Sequence, residues 1–258
     1  MWSPDQWPTL RDGSSRRGVA ARLVEACQYD ALDYTGIPSR DSNIVPPKKA
    51  RKKKIAAKRQ ASNKGLEIGK KDALTPDQVK RIRGRLVKQG LPGLRDLALF
   101  STAIDTMLQA RDVLELHVRD VQRRNGSIRS MIEVSQKRGG PPVRCGLSEI
   151  TAKALEKWIT HSGKKANDYL FPGRGGRPLT PHQLNRLVKL WVIEAELDPD
   201  DYGVDSLRRT KALHILKGTG DLQTVRALLG HLRIEGTARF LGLETNSDPL
   251  EVCRAFDI

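Results

Sequence analysis

The chain has 258 residues and a mass of 28.8 kDa, enough for one domain or one domain with an appendage, and its 38% hydrophobic content supports a core of ordinary size. Lys and Arg number 46 against 30 Asp and Glu, a formal net charge of +16 with a pI near 10.0, which points to a polyanion or anionic surface as partner. A transmembrane protein is excluded by the lack of any long apolar run, and a secretory signal by the polar N-terminus; Cys27, Cys145 and Cys253 make neither a disulfide framework nor a zinc pattern, so a reducing, intracellular chain without metal or cofactor is expected.

In chain order, residues 1–45 hold one plausible helix, about 18–34, too short to build a core alone. Residues 46–73 form a basic segment. Between 46 and 71 there are eleven Lys and Arg and one acid, a net +10 that self-repels and buries almost nothing. The segment is expected to be disordered in isolation. It is either a solvated linker or an arm that docks on phosphates through Lys48, Lys49, Arg51, Lys52, Lys53 and Lys54, with affinity blind to sequence and screened by salt.

A compact domain is expected over residues 74–243, with a tail at 244–258. Its first helix has Thr75 as N-cap, Pro76 at the first helical position and Gln78 completing a capping box. The next has apolar residues at helical spacing through Leu94, Leu97, Ala98, Phe100 and Ile104. After a helical continuation near 111–122, two alternating runs flank a Lys-Arg-Gly-Gly turn, a hairpin signal. A capped amphipathic helix follows from Ser148, then a loop through DYLFPGRGGRPLT. The next helix carries Leu184, Leu187, Leu190 and Trp191 on one face, which reads as core. Three more helices close the domain: one through SLRRTKALHIL to Gly218–Gly220, a short one with Gly230 as C-cap, and one over RIEGTARFLGL.

The order of GLRDLALF, a lysine on a β-turn, LFPGRGGRPLT, SLRRTKALHIL and LLGHLRIEGTARFLGLE resembles the catalytic domain of the tyrosine recombinase (phage integrase) family, from about Leu74 to Leu243. The resemblance implies a mainly α (α+β) fold, helices around a small antiparallel sheet, in a chain without the usual N-terminal core-binding domain. It also implies a chemistry. In that family a tyrosine hydroxyl attacks a DNA phosphodiester and forms a 3′-phosphotyrosine link, without metal or nucleotide. Two arginines bind the non-bridging oxygens where charge gathers in the transition state. A hairpin lysine and nearby histidines handle protons, and the tyrosine is the nucleophile.

Three of the six positions that the resemblance marks as catalytic keep the family's residue: Lys137 in SQKRGG, Arg208 of the H-x-x-R box, and His231 of LLGH. Three do not. Gln109 stands for the first arginine, Asp205 for the histidine of H-x-x-R, and Phe240 for the tyrosine. A phenylalanine cannot attack phosphorus. Gln109 lacks a charged hydrogen bond worth roughly 1.5–3 kcal/mol, and Asp205 repels a phosphate unless neutralised. Arg111 lies about 200° around a helix from Gln109 and should face elsewhere. Asp112 reads as structural, Phe240 should pack into the core, and His182 and His214 read as ordinary. Of the tyrosines, Tyr169 and Tyr202 read as structural, and Tyr29 and Tyr34 precede the basic arm.

The expectation is a DNA-binding, integrase-like protein of a mobile element that takes part in recombination in a bacterial cytoplasm and does not cut strands itself. Lys137, Arg208, Arg209 and Lys211 would join the basic arm in contacting double-stranded DNA. An active recombinase or a second copy would be its partner, with no membrane and no small-molecule substrate. The alternatives are an active recombinase with another nucleophile and a non-specific basic nucleic-acid binder.

Overall fold

The computed structural model describes residues 71–137 and 139–243. The helix expected at 18–34, the basic arm with Lys48, Lys49, Arg51, Lys52, Lys53 and Lys54, and the tail at 244–258 lie outside the described residues. Helices α1 (Pro76–Lys88), α2 (Leu91–Thr106), α3 (Ala110–Leu114) and α4 (Val118–Val121) lead into a hairpin of β1 (Met131–Val134) and β2 (Val143–Gly146). Then come α5 (Glu149–Ser162), a 3-10 turn (Arg174–Gly176), α6 (Pro181–Glu194), α7 (Val204–Thr219), α8 (Leu222–Leu229) and α9 (Ile234–Leu241). Among the described residues no helix is long and apolar enough to cross a membrane.

Local chemistry sets the helix starts. Thr75 accepts from the Gln78 N–H at 3.3 Å while Gln78 Oε1 accepts from the Thr75 N–H at 2.7 Å. Thr180 and Gln183 repeat the box at α6, at 3.2 and 2.8 Å. Ser148 caps α5, accepting from the Thr151 N–H at 3.3 Å. The strands pair antiparallel, Ile132 opposite Cys145 and Val134 opposite Val143. Ile132, Val143 and Cys145 face the core, while Glu133 and Arg144 pair outside at 2.9 Å.

The spine is α2. Every residue from Ala98 to Thr106 is buried, as in a helix enclosed on all sides, and it packs on α1, α5 and α7. Gly93 permits the close approach to α1, because a Cβ there would lie 2.1 Å from the Leu86 carbonyl oxygen. On the far side Phe100 meets Trp191 edge to face at 5.6 Å, and the Trp191 indole N–H donates to Asp96 at 2.9 Å. Lys211, expected to contact DNA, donates to Asp105 Oδ1 at 3.0 Å, and Asp105 Oδ2 accepts the Ser148 N–H at 2.8 Å. A buried carboxylate on α2 needs such partners, so this pair ties α2, α5 and α7 together.

Lys71 and Asp72, assigned to the linker from charge alone, are bonded to the domain beside Leu74. The Asp72 N–H donates to Asp201 O at 2.7 Å, the Lys71 ammonium to Asp200 O, and the Leu74 N–H to Thr210 Oγ1 at 2.9 Å. The loop before α7 supplies carbonyl acceptors that sequence does not display. Among the described residues there are two hydrophobic clusters. The main one runs from Leu74 to Leu207; a smaller one joins Met107, Ala212, Val225, Leu229 and Leu241. Helix α7 contributes to both, and the site lies where they meet.

Candidate functional site

Arg208, in the second turn of α7, is 6% exposed. Its Nε donates to the Met107 carbonyl at 2.6 Å and its Nη2 to the Leu229 carbonyl at 3.1 Å. These carbonyls end α2 and α8, where helices leave acceptors unpaired and carry partial negative charge. Two helix C-termini therefore hold one guanidinium. Burial lowers the Arg208 pKa from its ordinary value, and the charges of Asp205 and Asp112 act against that. An arginine nonetheless stays charged. Met107 takes a left-handed backbone, φ 51°, to present its carbonyl; such strain gathers at functional sites.

Phe240 was expected in the core. It packs against the smaller hydrophobic cluster from α9 but is only half-buried, with its ring centroid 5.1 Å from Arg208 Cζ and 4.9 Å from Arg209 Cζ. Its carbonyl accepts from Arg209 Nε at 2.8 Å. The reason is charge: an aromatic face beside two guanidinium groups is more favourable than one among aliphatic chains alone. Arg209, expected to contact DNA, is 8% exposed, and its Nη1 is enclosed without a hydrogen-bond partner. The His231 ring meets Phe240 edge to face at 5.6 Å, and its Nδ1 lies 3.1 Å from Thr237 Oγ1. Burial, then the Arg208 charge, lowers the His231 pKa, so the ring is neutral at neutral pH. Were the Thr237 hydroxyl to donate to Nδ1, Nε2 would carry a proton free to be given.

The hairpin reaches the site through the residues beside Lys137. Gln136 Nε2 donates to Gly230 O and Pro141 O, each at 3.1 Å. The buried Asp112 accepts the Lys137 N–H at 3.1 Å. Asp112 thus holds the hairpin lysine, which agrees with a structural role. The Lys137 ammonium pairs with Glu115 at 2.7 Å, an exposed contact that raises its pKa.

The structure brings Arg208, His231 and Phe240 together and links Lys137 to them through Gln136 and Gly230. Gln109 is half-buried as the N-cap of α3, two residues after Met107, and its side chain makes no capping bond. Asp205 is exposed in the first turn of α7. Arg111 is exposed. Sequence reasoning missed Glu115, Gln136 and Thr237. Only Gln136, adjacent to a named lysine, carried any signal. Among the described residues no three His, Cys, Asp or Glu side chains are grouped to hold a metal ion.

A profile of the phage integrase family matches residues 72–246. The tyrosine recombinase XerC of Xanthomonas axonopodis pv. citri is 29% identical over 152 residues, 59% of this chain and 48% of that protein. XerC of Erythrobacter litoralis is 30% identical over 165 residues, 61% of this chain and 52% of its own. The chain spans about half the length of these curated relatives. Among solved structures, XerA recombinase superposes with a TM-score of 0.56 at 21% identity, covering 71% of this chain and 63% of the other. A Tyr-to-Phe variant of the Tn1549 transposon integrase with transposon right end DNA gives 0.53 at 15% identity, covering 93% and 76%. The shared fold is the tyrosine recombinase catalytic domain, mainly helical with a small antiparallel sheet.

Proposed function

The chain belongs to the phage integrase family, and we propose that it binds double-stranded DNA in a recombination system without cutting strands itself. One observation carries this reading. The ring against Arg208 and His231 is Phe240, which has no hydroxyl. The described tyrosines are engaged elsewhere: Tyr169 lies against His117 at 4.5 Å, and the buried Tyr202 accepts from Gln78 Nε2 at 3.0 Å. Among the described residues the hydroxyl bonded to His231 belongs to Thr237, which is 0% exposed and closed to a phosphodiester.

DNA as the partner is supported by the net charge of +16 and by a guanidinium preorganised on two helix C-termini. It is also supported by two fold neighbours whose structures hold DNA, XerH with its difH substrate and the Tyr-to-Phe Tn1549 integrase. The protein would occupy a recombination site of a mobile element, or join an active recombinase or a second copy of itself as the subunit that does not cleave. The setting is a bacterial cytoplasm.

Covalent trapping on nicked half-site DNA, with binding scored by gel shift, tests this. The unmodified chain should bind and form no adduct. Gln109→Arg with Phe240→Tyr should restore adduct formation. An adduct from the unmodified chain would refute the reading, and mapping its linked residue would name the nucleophile. Binding lost wholly on removal of residues 46–70 would favour a non-specific basic binder instead.

A further inference from the structure

We propose that Phe240 is a positioning residue, a cation–π clamp that holds the Arg208 and Arg209 side chains in place while leaving N–H groups of Arg208 free for a phosphate. This rests on the DNA-binding reading above and gives the residue in the lost nucleophile's place a role of its own.

Two buried guanidinium groups on successive residues need compensation for lost hydration. Carboxylate charges offset part of it from a distance, Asp205 and Asp112 for Arg208 and Asp205 and Asp72 for Arg209, but among the described residues the hydrogen bonds of both side chains go to carbonyls and their guanidinium groups lie over the Phe240 ring. Carbonyls of Met107 and Leu229 take one N–H each from Nε and Nη2 of Arg208. An arginine has five such donors, so three remain. A carboxylate partner would take two more in a fork. The face of an aromatic ring stabilises the cation without consuming a donor.

Arg209 supplies an independent sign. Its Nη1 is enclosed with no hydrogen-bond partner, and buried orphan donors are rare. The Phe240 ring, 4.9 Å from its Cζ, is the electron-rich surface beside it. The ring is itself fixed at two points. Arg209 Nε binds its backbone carbonyl at 2.8 Å, and His231 meets it edge to face at 5.6 Å. Both guanidinium groups are buried; Arg209 spends its Nε on the Phe240 carbonyl, and Arg208 is the one with N–H groups left over.

The test uses the full chain with Phe240→Tyr, Phe240→Trp, Phe240→Met and Phe240→Ala. Methionine fills similar space without a π face, so it separates electrostatics from packing. Two readouts are taken: the salt dependence of half-site DNA binding, and the rate at which phenylglyoxal modifies Arg208, mapped by peptide mass spectrometry. Tyr and Trp should keep affinity within about threefold of the parent and keep Arg208 slow to react. Met and Ala should weaken binding at least about tenfold, lower the salt slope by about one phosphate contact, and speed modification by a similar factor. A Met variant that matches the parent in both readouts overturns the clamp. Absence of DNA binding by the parent refutes the DNA reading alone, and the modification rates then decide the clamp. Thermal melting of each variant reports folding, and Met keeps the comparison open should Ala not fold.

Discussion

Gly220 and Gly230 offer a matched pair. Both sit just past a helix C-terminus, ending α7 and α8, at φ +68° and +66°. Alanine at either position meets the left-handed penalty, about 1–2 kcal/mol. At Gly220 a new Cβ has no atom within 4 Å. At Gly230 it would meet Gln136 Nε2 at 2.3 Å and Val143 Cγ2 at 2.6 Å. Gln136 can swing away, but it then gives up its bonds to Gly230 O and Pro141 O, about 1 kcal/mol each. Val143 cannot follow. It is 3% exposed and paired with Val134 across the hairpin, so forcing it aside costs a further 1–3 kcal/mol or so. Gly230→Ala should therefore destabilise by at least about 2 kcal/mol more than Gly220→Ala, a gap of roughly 4–8 °C in Tm for a domain of this size. Calorimetry or urea denaturation of the two variants against the parent measures it. Equal losses would mean the hairpin does not dock on the end of α8, and the link from Lys137 to the Arg208 site would fall with it. Where Gly230→Ala remains folded, its DNA affinity should drop more than that of Gly220→Ala, because the hairpin lysine loses its anchor.

Three further outcomes are expected. Burial would raise the Asp105 pKa, but hydrogen bonds from Ser148 and Thr151 and the Lys211 charge hold it below its ordinary value. A depressed folded pKa stabilises above the unfolded value near 3.9 and loses that contribution as pH falls through the folded one. Asp105→Asn should thus cost about 3 kcal/mol at pH 7, with the gap to the parent closing below about pH 4; a gap unchanged at pH 3 by urea titration would contradict this. Cys145 is buried and its thiol is pushed up to about 12, so in the folded protein it should stay unreacted with a thiol reagent at about pH 8 and become reactive only on unfolding; fast alkylation of the native protein counts against the burial described. Met107 is left-handed at φ 51° and buried, so Met107→Gly should be more stable than Met107→Ala by about 1 kcal/mol, the reverse of the usual order, and thermal melting that ranks alanine first would remove the case for strain there.

Much of this protein is legible in one dimension. Capping boxes at Thr75 and Thr180, the glycine stop at Gly230 and the alternation through Ile132, Val143 and Cys145 act over a turn or a strand pair, so local pattern displays them. The expectation that Gln109, Asp205 and Phe240 stand at the family's catalytic positions rests on the order of motifs alone. The partners of the charges were not legible. Arg209 and Lys211 read as DNA-contacting cations, and nothing nearby in the chain announces that one is enclosed against Phe240 and the other paired with buried Asp105. Phe240 read as core, and it does pack on the smaller cluster, but nothing local announces the two guanidinium groups over its ring. What places it beside cations is the convergence of α2, α8 and α9 on α7, with Arg208 bonded to a carbonyl 101 residues away. A residue's type and helical phase are properties of the chain nearby. Which charge lies against it, and how much water is excluded around both, depends on elements far apart in sequence, and only packing in three dimensions decides that.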